Sequence, residues 1–428
     1  MLHIQDEYIR NNLLKGAFGL EKENLRVMSD GFLSHTPNPV TDDEHIVRDF
    51  SEGQMEINTY PYPSAEEAVE ALVRHEKDLV SVLSGLPERE YLWPFSNPPY
   101  IKGEDDIPIA EFEGEDAWKT EYRKHLSCVY GRYKMTFSGI HVNYSLDEEL
   151  LRHEAELRGI DISDEKAFRE FKDSFYISLT EKMSYCGWLL VLLTAASPVI
   201  DGSFMGGDFD ETVNTRRSSL RCSERGYWNF FDPVFDYSSL DAYTDSIEQY
   251  VTNGDLMASS ELYYPVRLKP NSAYSVERLR EDGAGHIELR MFDLNPLCDE
   301  GVDIRDIRFA GYLVSYLAMG GSMGLSPEDQ VNIVSNFKYS ARLDLDGVYI
   351  IGKGGFREDI REAALGILET MKEFYKSMLP QNILVQDDIS FQISKLTDEK
   401  NRYAYRVLQE YGTDYVKKGM ELAKVRQG

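Results

Sequence analysis

The sequence predicts an α+β fold built on a largely antiparallel sheet. Three observations carry this. Stretches with strand character at 17–28, 53–60, 134–146, 260–269 and 285–293 are separated by long, mixed connections. Helical stretches fall among them without a regular βαβ alternation, which argues against a Rossmann-type sheet. No repeat or low-complexity linker interrupts the chain, and its 428 residues suffice for a large core.

The helices follow from periodicity and caps. Ser64 with Glu67 makes a capping box, and Val69, Leu72, Val73, Val80 and Leu83 give an apolar stripe over 64–84. Residues 164–196 read as one long helix, amphipathic and then apolar, stopped by Ser197-Pro198. Its apolar run, 187–196, is too short to cross a bilayer and reads as a buried helix end. Residues 303–323, 357–379 and 403–424 read as further helices.

The strands carry polar chemistry on one face. Read as extended chain, residues 19–26 put Glu21 and Glu23 on one side and Leu20 and Lys22 on the other. Residues 49–56 align Glu52, Gln54 and Glu56, with Asp49 at the strand mouth. Residues 135–144 align Met135, Phe137, Gly139, His141 and Asn143, and residues 285–290 align His286, Glu288 and Arg290. Two readings fit this pattern. One is an ordinary antiparallel sheet with a solvated face. The other is a cavity whose acids and histidine hold hard cations such as Mg²⁺. Solvated faces favour Lys, Thr and Ser, whereas this set is poor in Lys and rich in metal-competent groups. Arg221 and Tyr227 flank residues 222–226, and Tyr263 and Arg267 lie in 261–267. Such arginines suit bidentate contact with carboxylate or phosphate, or else ordinary surface ion pairs.

Composition narrows the function. Asp and Glu number 74 against 46 Lys and Arg, a formal net charge of -28. That surface repels nucleic acid and anionic membranes, and a nucleotide such as ATP would need local cations. Cys128, Cys186, Cys222 and Cys298 are far apart and form no CxxC pair. This disfavours a zinc site or disulfide framework and fits a reducing cytosol. Cys222, beside Arg221, reads as a small buried residue or a redox handle. The N-terminal residues lack signal-peptide character, so the expected location is cytoplasmic. Residues 347–354 approximate P-loop spacing, but Gly354 stands where Ser or Thr should hold Mg²⁺, and the bulky residues between read as a strand.

The motifs resemble those of bacterial glutamate–cysteine ligases. They run in that family's order: Gly19-Leu20-Glu21-Lys22-Glu23 with Leu25-Arg26-Val27, then residues 49–56, Leu92-Trp93-Pro94-Phe95-Ser96-Asn97-Pro98-Pro99, residues 138–145, Ala196-Ser197-Pro198, Ser219-Leu220-Arg221 with Gly226-Tyr227, Glu261-Leu262-Tyr263, and Ile287-Glu288-Leu289-Arg290 with Asp293-Leu294-Asn295-Pro296. Beyond residue 300 the likeness thins to residues 405–408. The resemblance implies a glutamine-synthetase-like funnel, a curved sheet wrapped in helices, acting as one catalytic domain over 1–428 without an ATP-grasp domain. It implies ATP-dependent joining of the glutamate γ-carboxylate to the cysteine amine, the first step of glutathione biosynthesis. Two or three Mg²⁺ ions, with Mn²⁺ as a substitute, are expected on Glu21, Glu23, Asp49, Glu56, His141 and Glu288. Arg290 is expected near the transferred phosphate. Phe50, Tyr122, Leu126, Arg221, Tyr227 and Tyr263 match positions around the cysteine substrate. Met135 departs from the family, which places Gln there, so the acceptor pocket is more apolar and its amine is left open. A phosphotransferase on the same funnel is the other reading the site residues allow.

Overall fold

The computed structural model describes residues 1–41, 43–207 and 211–428. Its strands are β1 (Gly16–Met28), β2 (Ile46–Arg48), β3 (Gln54–Asn58), β4 (Glu90–Leu92), β5 (Gly139–Leu146), β6 (Val199–Asp201), β7 (Thr212–Asn214), β8 (Val266–Lys269), β9 (His286–Asp293), β10 (Tyr349–Ile351) and β11 (Arg357–Asp359). Seven of them form an open antiparallel sheet in the order β2-β3-β1-β5-β9-β8, with β4 paired to the end of β1. This is the expected α+β architecture. The long β1 changes partner along its length, from β5 to β3 to β4.

Register decides what the sheet presents. Glu21 lies opposite His141, Glu23 opposite Glu56, and Glu288 between Asn143 on one side and Arg267 on the other. Because side chains alternate, these groups share one face. The reverse face carries Leu20, Ile57, Ile140, Val142, Ile287 and Leu289, all fully buried. Helices Ala65–Ser84, Glu165–Cys186 and Ile304–Leu317 cover that face. Lys22 and Asn24 are polar residues on that face, and the Lys22 Nζ donates to Glu76 Oε2 at 2.8 Å and to the Glu300 carbonyl at 3.0 Å.

Several elements are shorter than the periodicity suggests. The helix expected over 164–196 breaks into Glu165–Cys186 and Trp188–Thr194. A Cβ at Gly187 would lie 2.8 Å from the Phe337 ring, so glycine admits the neighbouring helix Pro327–Ser340. Residues 403–424 form two helices, Tyr403–Tyr411 and Tyr415–Gln427, parted by Asp414 at a left-handed φ of 52°. The helix expected over 303–323 stops at Leu317. In 357–379 the first three residues pair with β10 as β11, and Asp359 then caps helix Ile360–Met378. Residues 347–354 thus contain a strand, as read from their bulk. Among the described residues no helix is long and apolar enough to cross a membrane.

Two buried polar knots hold the site-bearing strands. Arg26 and Glu90 pair at 2.9 Å with both side chains fully buried, and Arg26 also donates to the carbonyls of Thr36 and Glu52. Asp293, at the end of β9, accepts from the Ala196 amide (2.9 Å), Ser197 Oγ (2.7 Å) and Ser219 Oγ (2.9 Å). Ser219 Oγ in turn accepts from the Cys222 amide, which fixes the loop carrying Arg221. These bonds account for the Ala196–Pro198, Ser219 and Asp293 motifs as structure. Asp293→Ala strands three buried donors, so its expected cost is about 3 kcal/mol. Urea unfolding checks this, and a loss below about 1 kcal/mol would contradict it.

Candidate active site

The polar face of the sheet opens into a cavity of about 310 Å³. Glu21, Glu23, Asp49, Glu56, His141 and Glu288 all line it, as do Phe50, Tyr122, Leu126, Met135, Tyr227, Tyr263, Arg267 and Arg290. Arg221 lies outside this wall, in a small adjoining cavity with Cys222, and Tyr227, Tyr263 and Arg290 border both.

One end of the cavity is ionic. Glu21 Oε2 lies 2.9 Å from His141 Nδ1, which is 3.4 Å from Glu288 Oε1. Glu21 Oε1 accepts from Asn143 Nδ2 at 3.0 Å and from Lys269 Nζ at 3.1 Å. Glu288 Oε1 accepts from Arg290 Nη1 at 3.0 Å and from Lys269 Nζ at 3.3 Å. Ligand atoms of Glu21, His141 and Glu288 converge within 4.8 Å of one another. Glu23 Oε2 accepts from the Gly139 amide at 2.9 Å, and its Oε1 is 3.8 Å from His141 Nε2. Glu56 faces Glu23 across the β1–β3 ladder. Asp49 follows β2, and its carbonyl accepts from Arg123 Nε at 2.6 Å.

A β-bulge shapes this end. The β5–β9 register shifts between Ile140 and Val142, so Arg290 and Met291 together stand opposite His141. The Arg290 carbonyl accepts from Arg221 Nη2 at 2.7 Å. A Cβ at Gly139 would lie 2.2 Å from that same nitrogen, so only glycine lets the guanidinium press against β5.

The carboxyls differ in charge state because their neighbours differ. Burial pushes Glu21 up, but Lys269 and His141 outweigh it and hold the group at about 2. Burial likewise opposes ionised Glu288, yet Lys269, Arg290 and Arg267 keep it well below the usual range. Glu23 is raised by burial and by Asp49. Glu56 is raised to about 8 by burial and by the charges of Glu21, Asp49 and Glu23. His141 is raised: burial and Arg290 oppose its charge, but hydrogen bonds to Glu21 and Glu288 prevail. His141 Nε2 and Glu288 Oε2 are buried without a hydrogen-bond partner. Carboxylate oxygens crowded with an imidazole, two of whose atoms lack partners, suit hard divalent cations.

The other end is apolar and aromatic. Phe50, Leu126 and Met135 are buried, and Tyr227 and Tyr263 meet edge to face at 4.9 Å. The Tyr263 hydroxyl is buried without a partner. Burial pushes the Tyr122 phenol up to about 12. Arg267 is fixed from behind, donating to the Leu262 carbonyl at 2.9 Å with its guanidinium against the Tyr274 ring.

Two expectations need correction. Met135 does not share a strand with His141. It lies in a 3₁₀ turn, Lys134–Thr136, closed by i→i+3 bonds, and β5 begins only at Gly139. It still lines the cavity. Glu52 leaves the acidic row because residues 51–54 form a turn, and it pairs with Arg48 at 2.7 Å instead. His286 stands opposite Lys269 on the expected face but is not among the residues that line the cavity, and burial and Lys269 bring its pKa down to about 4. Cys222 is buried with its thiol pushed up to about 11 by burial, which favours the packing reading over a redox one. Lys269, Arg123, Ser260 and Tyr274 line the cavity without having been singled out. Lys269 was findable, two residues beyond Arg267 on the same strand face. Tyr274 gave no signal because it sits in a loop.

Comparison with known proteins agrees with this architecture. The family description for glutamate–cysteine ligase matches residues 1–255 and 253–339, and the chain belongs to that family. A bifunctional glutathione biosynthesis protein of Listeria monocytogenes is 34% identical over 427 residues, covering 95% of this chain and 53% of that protein. This chain thus spans about half the length of the bifunctional relatives it matches. A glutamate–cysteine ligase of Clostridium acetobutylicum is 28% identical and aligns over 98% of this chain and 97% of its own length. The crystal structure of a Francisella tularensis glutamate–cysteine ligase in complex with AMP superposes with a TM-score of 0.83 at 20% identity, covering 96% of this chain and 88% of the other. A bifunctional glutathione synthetase from Pasteurella multocida gives 0.81 at 24% identity, covering 99% and 54%. At these identities the two structures attest the fold.

The raised carboxyl of Glu56 has a measurable consequence. Its folded pKa of about 8 lies above the ordinary value of 4.5. Between those values the folded protein keeps a proton that the unfolded chain has lost. The stability contributed by protonated Glu56 is therefore full at the acid end and is lost as pH rises toward about 8. In cation-free protein, Tm should fall more steeply from mildly acid to mildly alkaline pH in the wild type than in Glu56→Gln. Parallel curves for the two proteins would contradict this charge assignment.

Proposed function

We propose that this protein is an ATP- and Mg²⁺-dependent ligase that joins the glutamate γ-carboxylate to an amine, with cysteine as the leading acceptor. One observation carries the proposal: four strands and the turn after β2 bring six metal-competent side chains into one cavity whose far end is apolar and aromatic. Family membership and the names of the relatives support it, and the AMP held by the Francisella protein is consistent with a nucleotide site. Residues 1–428 are proposed to act as one catalytic unit.

Glu21, His141 and Glu288 would hold one cation, and Glu23, Asp49 and Glu56 would serve the remainder, with Mn²⁺ able to replace Mg²⁺. When bound, such ions offset the repulsion between the substrate carboxylate and the nucleotide phosphates. The glutamate γ-carboxylate oxygen attacks the γ-phosphorus of ATP, and ADP departs, leaving γ-glutamyl phosphate. The neutral amine then attacks the acyl carbon, and phosphate departs with that oxygen. Arg290, held on the Glu288 carboxylate, offers a fixed positive charge for the transferred phosphoryl group and the tetrahedral oxyanion. Arg221 and Arg267 supply further anion contacts at the edge of the cavity. Tyr227 and Tyr263 close the apolar end and keep water from the acyl phosphate.

Met135 favours a second reading of the acceptor. Together with Phe50 and Leu126 it offers the amine an apolar, polarizable surface with no side-chain amide to bond. An amine such as 2-aminobutyrate fits that surface as well as cysteine does. Phosphate release measured with ATP, Mg²⁺, glutamate and a panel of amines decides between them. Cysteine-dependent release supports the primary proposal, while release without any amine would replace it with a phosphotransferase. Met135→Gln should shift the ratio of kcat/KM values toward cysteine by about tenfold, the size of one hydrogen-bond contribution. An unchanged ratio would sever Met135 from acceptor choice.

A further inference from the structure

Lys269 occupies an unusual position. It projects from the edge strand β8 across β9, and its Nζ sits 3.1 Å from Glu21 Oε1 and 3.3 Å from Glu288 Oε1. Those two carboxylates come from strands with β5 between them, so no direct ladder pairs one with the other. They are also two of the three groups whose ligand atoms converge into one metal-competent cluster. The ammonium therefore stands where a divalent cation on Glu21 and Glu288 would place its charge.

The other cations of this end are placed differently. Arg290 touches only Glu288 among the acids, and its backbone is pinned by bonds to Pro265 and Arg221. The Arg267 guanidinium is tied to the Leu262 carbonyl and stands 3.7 Å from Glu288 Oε2. Lys269 reaches both Glu21 and Glu288, as the buried His141 ring also does at 2.9 and 3.4 Å, and among the described residues those two carboxylates are the only hydrogen-bond partners of its Nζ. A lysine is a compact charge on a flexible four-carbon stem, so it can leave these contacts without disturbing β8.

We propose that Lys269 is a built-in cation surrogate. In the cation-free protein it bridges Glu21 and Glu288 and keeps the cluster assembled against the repulsion of its own charges. A divalent cation competes for the same oxygens and drives the ammonium off. The displaced ammonium then faces the cavity, where the phosphates of a nucleotide are its natural partner. Lys269 is thus a positioning residue that links cation binding to nucleotide binding, and by linkage each promotes the other. The inference rests on the metal reading of the cluster given above.

The test is Mn²⁺ binding followed by electron paramagnetic resonance in the wild type, Lys269→Met and Lys269→Gln, with and without ADP. Without ADP, both variants should bind Mn²⁺ about tenfold more tightly than the wild type, because a close charge competitor is gone. ADP should tighten Mn²⁺ binding in the wild type by a larger factor than in either variant. Equal or weaker Mn²⁺ affinity in folded variants overturns the role of Lys269 while leaving the metal site standing. A wild type that binds no Mn²⁺ overturns the metal reading itself and the inference with it. Wild-type protein labelled at lysine 13Cε gives an answer that needs no folded variant of this kind, with the resonance assigned by Lys269→Arg. The Lys269 signal should shift on adding Mg²⁺ alone, and an unmoved signal overturns the proposal.

Discussion

The structure turns on one electrostatic constraint: several carboxylates are held on a single face of a sheet, partly or wholly out of water. The registers leave no alternative. Glu23 stands directly across from Glu56, and Glu21 and Glu288 are drawn to the same histidine. Like charges in such positions oppose folding unless cations or protons offset them. The protein uses both. Lys269, Arg290 and Arg267 keep Glu288 ionised, whereas Glu56, beyond their reach, is driven toward the protonated form. The cavity is thus divided into a part already neutralised by protein cations and a part that still lacks positive charge.

The scaffold behind that cavity is correspondingly rigid. Asp293, Ser197 and Ser219 lock the end of β9 to the loop bearing Arg221, and the buried Arg26–Glu90 pair ties β1 to β4. The segment around Trp93 joins in: Trp93 Nε1 and the Tyr415 hydroxyl both donate to the Asn97 carbonyl. Motifs that resemble catalytic signatures in sequence therefore do two kinds of work. Some line the cavity, and others hold the strands whose register creates it. Preorganised charge of this kind stabilises a transferred phosphoryl group without reorganisation during the reaction.

Strand parity made much of the site legible in advance. Glu21, Glu23, His141 and Glu288 could be placed on polar faces by counting in twos, because their own strands are regular where these residues lie; Arg290 lies in the bulge of β9 and lines the cavity all the same. The failures occur where regularity ends. Glu52 is lost to a turn, and Met135 sits on 3₁₀ geometry that a strand pattern cannot signal. The bulge opposite His141 is set by pairing between distant segments and leaves no mark in either one alone. Helix breaks at Gly187 and Asp414 likewise follow from tertiary contact and a left-handed residue, not from loss of apolar periodicity. The cation-like position of Lys269 needed the neighbouring strands in place.

The central claim is that this charged cavity activates glutamate as an acyl phosphate. Isotope transfer tests it most directly. Glutamate carrying 18O in its γ-carboxylate is turned over with ATP, Mg²⁺ and the accepted amine, and the released phosphate is examined by mass spectrometry. The account predicts that one 18O atom passes from the carboxylate to phosphate in each turnover. Product formed with all of the released phosphate unlabelled would contradict it.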